Sequence, residues 1–320
     1  MADILMRAEH LSKYFPIRSA ILKREVGRIT AVSDVSFELE RGRTLGVVGE
    51  SGCGKTTLGR VLMKIYEPTS GRIEFDGEDI TRLDGARKRK NRMRMQMVFQ
   101  DPYSSLNPRM RTEEIVAEPL WVNDVMSKKQ AFAAVGPLLE TVGLHASDAR
   151  KYPHEFSGGQ RQRISIARAI AIKPDLIVAD EAVSALDVSI QAQILNLLSD
   201  LRAAYGSSYL FISHNLAVIR HISDQVAVMY LGEIVEMAET ADLFARPLHP
   251  YTQALLSAAP VADRNSRKQR ILLTGDIPSP SNPPRGCAFH PRCPWCMDVC
   301  RTEKPEERID DAGHRVRCHL

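Results

Sequence analysis

The sequence predicts an α/β fold in which strands alternate with helices along a mostly parallel sheet. Three short apolar runs have the length and composition of buried strands, and they lie at Thr44–Val48, Leu176–Ala179 and Ser208–Ile212. Helical spacing follows the first run, from Lys55 to Ile65, and precedes the second, from Gln160 to Ile172. This order of elements is typical of a parallel sheet.

Further elements extend the same pattern on both sides. Residues 4–48 alternate in the manner of strands, and residues 71–77 predict a strand that ends in an Asp-Gly turn. Residues 95–100 predict another strand. Helical spacing covers residues 112–152, as a separable insertion, and residues 190–205.

Composition limits the class of protein. With 320 residues, 44% of them hydrophobic and 26% charged, the chain resembles a globular protein of about two domains. Its net charge of +4 is too small to indicate nucleic-acid binding. The N-terminus contains Asp3 and Glu9 but no apolar signal segment, and no run of about 18 apolar residues occurs. We therefore expect a cytosolic protein that reaches a membrane only through a partner.

A glycine-rich loop follows the first buried strand. Residues Gly49–Thr56 fit the pattern G-x-x-x-x-G-K-[ST], in which glycines let backbone N–H groups surround a phosphate. Lys55 would reach the β- and γ-phosphate oxygens, and the Thr56 hydroxyl would bind Mg²⁺. Because a strand precedes the loop and a helix follows it, the pattern predicts a nucleotide-binding loop strongly.

Other residues supply what phosphoryl transfer to water needs. Asp180 ends an apolar strand and would place a carboxylate near the metal. Glu181 would polarise the attacking water, and His214, after another strand, would contact the γ-phosphate. The motif Ser157-Gly158-Gly159-Gln160 has no role within a single phosphate site, so it indicates a second copy of the chain or a partner protein.

These phrases together resemble the ATP-binding cassette (ABC) family over nearly the whole chain. The resemblance implies a P-loop (RecA-like) cassette with an antiparallel β subdomain and a helical subdomain. One departure is Ala182, where the family often has proline, and we expect it to affect only loop stiffness. The matching motifs are Walker A (Gly49–Thr56), the Q-loop Gln100, the signature Ser157–Gln160, Walker B (Leu176–Asp180) with the catalytic Glu181, the D-loop Ser184–Asp187 and the switch His214.

The resemblance also implies site residues and an assembly. Two cassettes would dimerise head to tail, with each ATP between one Walker A loop and the other subunit's signature. Catalysis would involve Glu181, His214 and Gln100; Mg²⁺ would be bound by Thr56, Gln100 and Asp180. ATP contacts would come from Phe15 (Tyr14 is the alternative), Gly49, Ser51, Gly52, Cys53, Gly54, Lys55, Thr56, Thr57, Ser157, Gly158, Gly159 and Gln160.

Five of the six cysteines lie between residues 287 and 318. In a reducing compartment, such a cluster indicates a metal site before it indicates disulfides, and either zinc or an iron–sulfur cluster needs four thiols. Free thiols, or thiols that hold adventitious zinc, are the other interpretation. The ligand spacing does not separate these possibilities.

The tail resembles the C-terminal extension of oligopeptide and dipeptide importer ATPases. The shared features are Gly286–Pro294, the ending Val316–His319, residues His249–Leu256 and Asn282–Pro284. In that family some members carry a [4Fe-4S] cluster on the cysteines that match Cys287, Cys293, Cys300 and Cys318, and Cys296 is then surplus. We predict a cassette over residues 1–258, with its helical subdomain at about 101–160, followed by a proline-rich linker and cysteine-rich extension over 259–320.

The sequence therefore predicts an ATP-hydrolysing subunit of a bacterial peptide importer, on the cytoplasmic face of the inner membrane. The expected partners are a second cassette (identical or a paralogue), two permease subunits and, indirectly, a substrate-binding protein, with no nucleic acid. The loop Tyr103–Pro108 resembles the surface with which such cassettes contact the permease. Alternatives are the same importer type with glutathione, a nickel chelate or an opine as substrate, a soluble ABC ATPase that acts on DNA or ribosomes, and a P-loop kinase.

Overall fold

The structure is a computed structural model that describes residues 3–19, 24–258 and 271–320. Its strands are β1 (Ile4–Arg18), β2 (Glu25–Glu40), β3 (Thr44–Val48), β4 (Ser70–Phe75), β5 (Glu78–Asp79), β6 (Met95–Val98), β7 (Leu176–Asp180), β8 (Ser208–Ser213), β9 (Gln225–Tyr230), β10 (Glu233–Glu239), β11 (Glu307–Ile309) and β12 (Arg315–Arg317). Its α-helices are α1 (Lys55–Leu62), α2 (Gly85–Arg94), α3 (Pro102–Ser105), α4 (Thr112–Val122), α5 (Lys128–Thr141), α6 (Gly158–Ile170), α7 (Val188–Tyr205), α8 (Leu216–Ile222), α9 (Thr240–Ala245), α10 (Pro250–Ala258) and α11 (Asp298–Thr302). No helix of the described ranges has the length and apolar character that a membrane span requires.

The chain forms two compact units. The first takes in residues up to 39, residues 44–82 and the chain from residue 213 onward, and the second takes in residues 40–43 and 83–212. The predicted domain boundary, after residue 258, is followed directly by residues 259–270, which lie outside the described residues. The division into 1–258 and 259–320 therefore stays a prediction.

The first unit contains an antiparallel sheet in the order β2-β1-β4-β5. The predicted Asp-Gly turn after β4 forms at Asp76 and Gly77, with φ of 52° and 74°. The turn leads directly into β5, which pairs with β4 in antiparallel fashion. Alternating burial over residues 35–40 of β2 explains why the sequence pattern predicted strands here.

The first unit also contains five strands in the order β11-β12-β10-β9-β3. The predicted parallel pairing holds between β3 and β9, but β9, β10, β12 and β11 pair in antiparallel fashion, so these strands form a mixed sheet. The cause is a hairpin between β9 and β10 whose two turn residues, Leu231 and Gly232, both have positive φ. Leucine is unusual in such a turn, so the sequence carried no clear hairpin signal.

The second unit contains the parallel strands β6, β7 and β8, with Val98 opposite Ala179 and Asp180 opposite Ile212. All residues of β7 and β8 are buried, as their apolar runs predicted. Helices α4 and α5 form within the predicted insertion. Helix α7 ends at Gly206, whose φ of 68° is the left-handed conformation that commonly terminates a helix.

Candidate functional site

The phosphate loop of the first unit connects β3 to α1. Gly54 is the N-cap of α1 with φ of 106°, and a Cβ there would lie 1.9 Å from the Ala31 carbonyl oxygen. A Cβ at Gly49 would lie 2.1 Å from the Met229 carbonyl oxygen, whereas at Gly52 (φ 81°) it would meet no atom within 4 Å. The loop therefore needs glycine at Gly49 and Gly54 for close backbone packing, and at Gly52 for conformation.

Lys55 lies inside this loop with 4% of its surface exposed. Its Nζ donates to the carbonyl oxygens of Gly49, at 2.7 Å, and Glu50, at 2.9 Å. The Lys55 ammonium is thus hydrogen-bonded to the loop that the motif predicts to bind phosphate. Ser51 is exposed, while Thr56 and Thr57 are half-buried in the first turn of α1.

Cys53 contributes a buried thiol to the loop, 3.8 Å from Lys55 Nζ. Burial raises the pKa of the Cys53 thiol, although Lys55 opposes the shift. The side chain is therefore a protonated packing group. A contact of Cys53 with ATP would come from its backbone, and that contact stays a prediction.

The two aromatic candidates for adenine stacking lie next to each other on β1. Phe15 packs edge-on against Tyr66, with ring centroids 5.4 Å apart, and Lys13 Nζ lies 5.1 Å from its ring. Tyr14 lies against the guanidinium of Arg28, at 4.8 Å. Both rings are half-buried, so the choice between them stays open.

His214 follows β8 and is exposed. The next residue, Asn215, caps α8 by accepting a hydrogen bond from the Ala217 N–H at 2.9 Å, and its own N–H donates to Ser213 Oγ at 3.0 Å. These bonds fix the backbone on the C-terminal side of His214. Its contact with a γ-phosphate stays a prediction.

The second unit carries the two acidic residues. Asp180 is the last residue of β7 and is 5% exposed. Glu181 follows with φ of 49°, its N–H donates to Ile212 O at 2.9 Å, and its carbonyl accepts the N–H and Oγ–H of Ser184, each at 3.0 Å. A glutamate in the left-handed backbone conformation is strained and persists only where the surrounding structure stabilises it. Residues with such strain concentrate at functional sites. Ala182, the residue that departs from the family pattern, is buried and packed by its neighbours.

The signature phrase starts α6. Ser157 Oγ accepts the Gln160 N–H at 3.3 Å, and Gln160 Oε1 accepts the Ser157 N–H at 3.0 Å, which forms a capping box. Ser157, Gly158 and Gln160 are exposed. A Cβ at Gly159 would lie 2.6 Å from Ile190 Cγ2. The exposed helix start is suited to an anion.

Gln100 lies in the second unit, two residues after β6, and is exposed. The predicted motifs thus divide between the units. Walker A, the aromatic candidates and His214 belong to the first unit, and Gln100, the signature, Asp180, Glu181 and the D-loop belong to the second.

All six cysteines are free thiols. Burial, with the neighbouring thiols Cys300, Cys318 and Cys293, raises the pKa of Cys287 to about 11, and burial also raises the pKa of Cys293 and Cys318. Among the described residues, the one group of three ligand atoms within 4.8 Å contains no cysteine. Thiols around a tetrahedral zinc lie about 3.8 Å apart. No three thiols of the described residues lie within 4.8 Å of one another.

That group consists of Asp242, Asp310 and His314. The guanidinium of Arg246 lies beside its two carboxylates. Arg246 Nη2 is 2.5 Å from Asp310 Oδ2 and 3.5 Å from Asp242 Oδ2. His314 contacts Asp242 through Nδ1, at 2.8 Å, and Glu236 through Nε2, at 2.7 Å. The sequence pattern did not reveal this ion-pair network, because its members come from β10, α9 with the residue that follows it, and the β11–β12 turn.

Comparison with known proteins agrees with the geometry. A family model described as "ABC transporter" matches residues 32–184, and one described as "Oligopeptide/dipeptide transporter, C-terminal region" matches residues 235–300. The oligopeptide transport ATP-binding protein AppF of Bacillus subtilis is 51% identical over 99% of this chain and 98% of its own length. This chain belongs to the oligopeptide/dipeptide family of ABC transporter ATP-binding proteins.

Two further relatives support the assignment. The probable peptide ABC transporter ATP-binding protein y4tS of Sinorhizobium fredii is 53% identical over 100% of this chain and 91% of its own length. The dipeptide transport ATP-binding protein DppF of Haemophilus influenzae is 49% identical, over 98% of this chain and 96% of its own length. The predicted family and the prediction of an ATP-hydrolysing transporter subunit are confirmed.

Solved structures confirm the ABC cassette fold. The ATP-binding cassette MJ0796, in a dimeric post-hydrolysis state bound to ADP and Pi, has a TM-score of 0.64 at 26% identity and covers 74% of this chain and 99% of that chain. CbiO1 of Clostridium perfringens has a TM-score of 0.65 at 24% identity and covers 76% of this chain and 92% of that chain. At this identity the similarity shows the fold alone.

Proposed function

We propose that this ABC ATPase energises the uptake of peptides by a bacterial importer. The observation that carries the proposal is the full-length similarity to proteins named for oligopeptide and dipeptide transport. The buried Lys55 within a glycine-supported loop supplies the nucleotide-binding chemistry.

In this proposal the phosphate loop binds ATP. Backbone N–H groups at the start of α1 and the Lys55 ammonium hold the phosphates. The hydroxyl of Thr56, the carboxylate of Asp180 and the amide oxygen of Gln100 would hold Mg²⁺, and these hard oxygen donors suit that ion. When bound, Mg²⁺ neutralises phosphate charge.

Glu181 and His214 carry the hydrolytic step. Glu181 accepts a proton from the attacking water, whose oxygen forms the new bond to the γ-phosphorus while the bond to the bridging oxygen breaks and leaves ADP. The hydrogen bonds of the Glu181 backbone to Ile212 and Ser184 hold this residue in its left-handed conformation. His214 contacts the γ-phosphate.

The hydrolytic role is tested by replacing Glu181 with glutamine, which keeps the shape but removes the base. We expect ATP binding to persist while turnover falls by roughly 100-fold or more. Glu140→Gln, at an exposed position of α5 in the same unit, is the matched control and should keep full turnover. Normal ATP hydrolysis by the Glu181→Gln protein would refute this role.

The second cassette of the importer supplies the missing half of each site. The N–H groups at the start of α6, beside Ser157, form an exposed anion site with no lysine or arginine among residues 157–160. The partner cassette is a second copy or a paralogue. ATP then binds between the phosphate loop of one cassette and the signature of the other.

The permease subunits are proposed to contact the helical part of the second unit. Tyr103 is 58% exposed, and Trp121, Val122 and Val125 also expose apolar surface. Such groups suit contact with membrane subunits, which would hold the chain at the cytoplasmic face of the inner membrane. Tyr103→Ser should reduce co-purification with the permeases, and unchanged co-purification would count against this surface.

The cysteine segment is proposed to hold a [4Fe-4S] cluster on Cys287, Cys293, Cys300 and Cys318, with Cys296 left over. Four thiols satisfy such a cluster, and Cys293, Cys300 and Cys318 are neighbours of Cys287. Purification without air should yield iron, sulfide and visible absorption, all lost in Cys293→Ser. Zinc at one equivalent without iron would favour the alternative, and no metal would favour free thiols.

The substrate is tested with the reconstituted importer. Peptide-loaded binding protein should stimulate ATP hydrolysis, whereas the same assay with glutathione, a nickel chelate or an opine should not. Stimulation by one of those ligands and not by peptides would contradict the substrate assignment.

A further inference from the structure

Glu50, the second residue of the phosphate loop, is held at three points. Its N–H donates to Tyr251 Oη at 2.9 Å, and its carbonyl oxygen accepts from Lys55 Nζ at 2.9 Å. Its carboxylate accepts from Arg292 Nη1 at 2.6 Å and from Nη2 at 3.1 Å. A residue of the C-terminal segment and the phosphate-binding lysine are therefore attached to the same loop residue.

The ion pair of Arg292 with Glu50 has two hydrogen bonds and is partly shielded from water. The Arg292 side chain is 8% exposed, and that of Glu50 is 26% exposed. The hydrogen bonds to Glu50 raise the pKa of Arg292 despite its burial. Because an unpaired buried guanidinium is costly, the two side chains hold each other in place.

Aromatic packing reinforces the same connection. Phe289, 1% exposed, lies 5.2 Å from the Tyr230 ring and 5.4 Å from the Tyr251 ring, measured between centroids. Tyr251 is the residue that accepts the Glu50 N–H. Phe289 and Arg292 lie on one short turn between Cys287 and Cys293. This turn therefore supports both the backbone and the side chain of Glu50.

A simple attachment of the C-terminal segment to the first unit would not need the phosphate loop. Lys304 shows this, because its Nζ pairs with Glu233 Oε1 at 2.5 Å without touching the loop. The pair of Arg292 differs, since the peptide that carries Glu50 also accepts the Lys55 ammonium. Movement of Glu50 would displace Lys55.

We propose that Arg292 is a positioning residue for ATP binding, which acts by fixing Glu50 and, through it, Lys55 and the first turn of the phosphate loop. The inference rests on the proposed binding of ATP at this loop. It makes the cysteine-bearing turn 287–293 part of the support of the nucleotide site.

The test uses the full chain, with ATP affinity and hydrogen exchange of the amides of residues 49–54 as readouts. Arg292→Ala should weaken ATP binding about tenfold and speed exchange in the loop, and Arg292→Lys should restore part of both. Lys304→Ala is the matched control and should change neither. Adenosine, which has no phosphate, should bind all four proteins equally.

A double-mutant cycle separates coupling from general damage. Glu50→Gln changes the other member of the same ion pair, the one in the loop. The double variant with Arg292→Ala should lose no more ATP affinity than the single variant that loses more. Additive losses, equal losses of adenosine and ATP affinity, or an Arg292→Ala protein that matches Lys304→Ala would overturn the inference. If the unaltered chain bound no ATP, the proposed function itself would fail, so the two failures are distinct.

Discussion

The starts of α1 and α6 are both glycine-containing helix ends suited to anions, yet the chain builds them differently. At α1 the glycines pack against backbone and a buried lysine is included in the loop. At α6 the start is exposed and caps itself through Ser157 and Gln160. The first end includes a buried cation beside its N–H groups, whereas the second has no lysine or arginine among residues 157–160.

The largest expected difference concerns ATP binding by the single chain. Lys55→Ala removes the buried cation and should weaken ATP binding by roughly 30-fold to 100-fold, because charge-assisted hydrogen bonds are lost. Gly158→Asp adds a negative charge at the start of α6 and should leave this binding unchanged. Titration of the isolated chain with a fluorescent ATP analogue measures both, and equal losses would remove the distinction between the two ends.

The next difference concerns the glycines and is measured as the free energy of unfolding in urea. Gly54→Ala should cost about 3 kcal/mol, because strain at positive φ adds to a clash with the Ala31 carbonyl. Gly52→Ala, with positive φ but open space, should cost about 1 kcal/mol. Similar costs at the two positions would show that the close approach to Ala31 is unimportant.

The smallest effect is expected at the cap of α6. Ser157→Ala removes the acceptor for the Gln160 N–H and should lower the free energy of unfolding by about 1 kcal/mol. ATP affinity of the isolated chain should not change, while turnover by the assembled importer should fall. A fall in single-chain ATP affinity would contradict the assignment of Ser157 to a partner's site.

Local features of this chain were predictable from the sequence, and distant ones were not. The strand β3, the phosphate loop and α1 follow from contiguous residues, and so do the signature turn and the acidic end of β7. The helix α1 ends at Leu62 rather than Ile65, because Lys64 takes a left-handed conformation (φ 55°). A buried Lys64, whose Nζ donates to Thr81 O at 2.6 Å, stabilises that ending through a contact that periodicity cannot reveal.

The pairing of Glu50 with Arg292 shows the same limit more clearly. The two residues are 242 positions apart, and neither belongs to a pattern of alternating or helical spacing. Cysteine spacing drew attention to residues 287–318 as a metal site. The contact of that segment with the phosphate loop became visible only in the folded chain, because aromatic packing around Phe289 brings them together.

Mixing two inactive variants tests the shared ATP site most directly. Lys55→Ala destroys the phosphate loop of one chain, and Gly158→Asp destroys the signature of the other. If each site combines two chains, a mixed dimer keeps one intact site, and an equal mixture should hydrolyse ATP at roughly a quarter of the unaltered rate, since half of the dimers are mixed. No recovery of ATP hydrolysis above the separate variants, in a mixture whose chains do form dimers, would contradict the shared site.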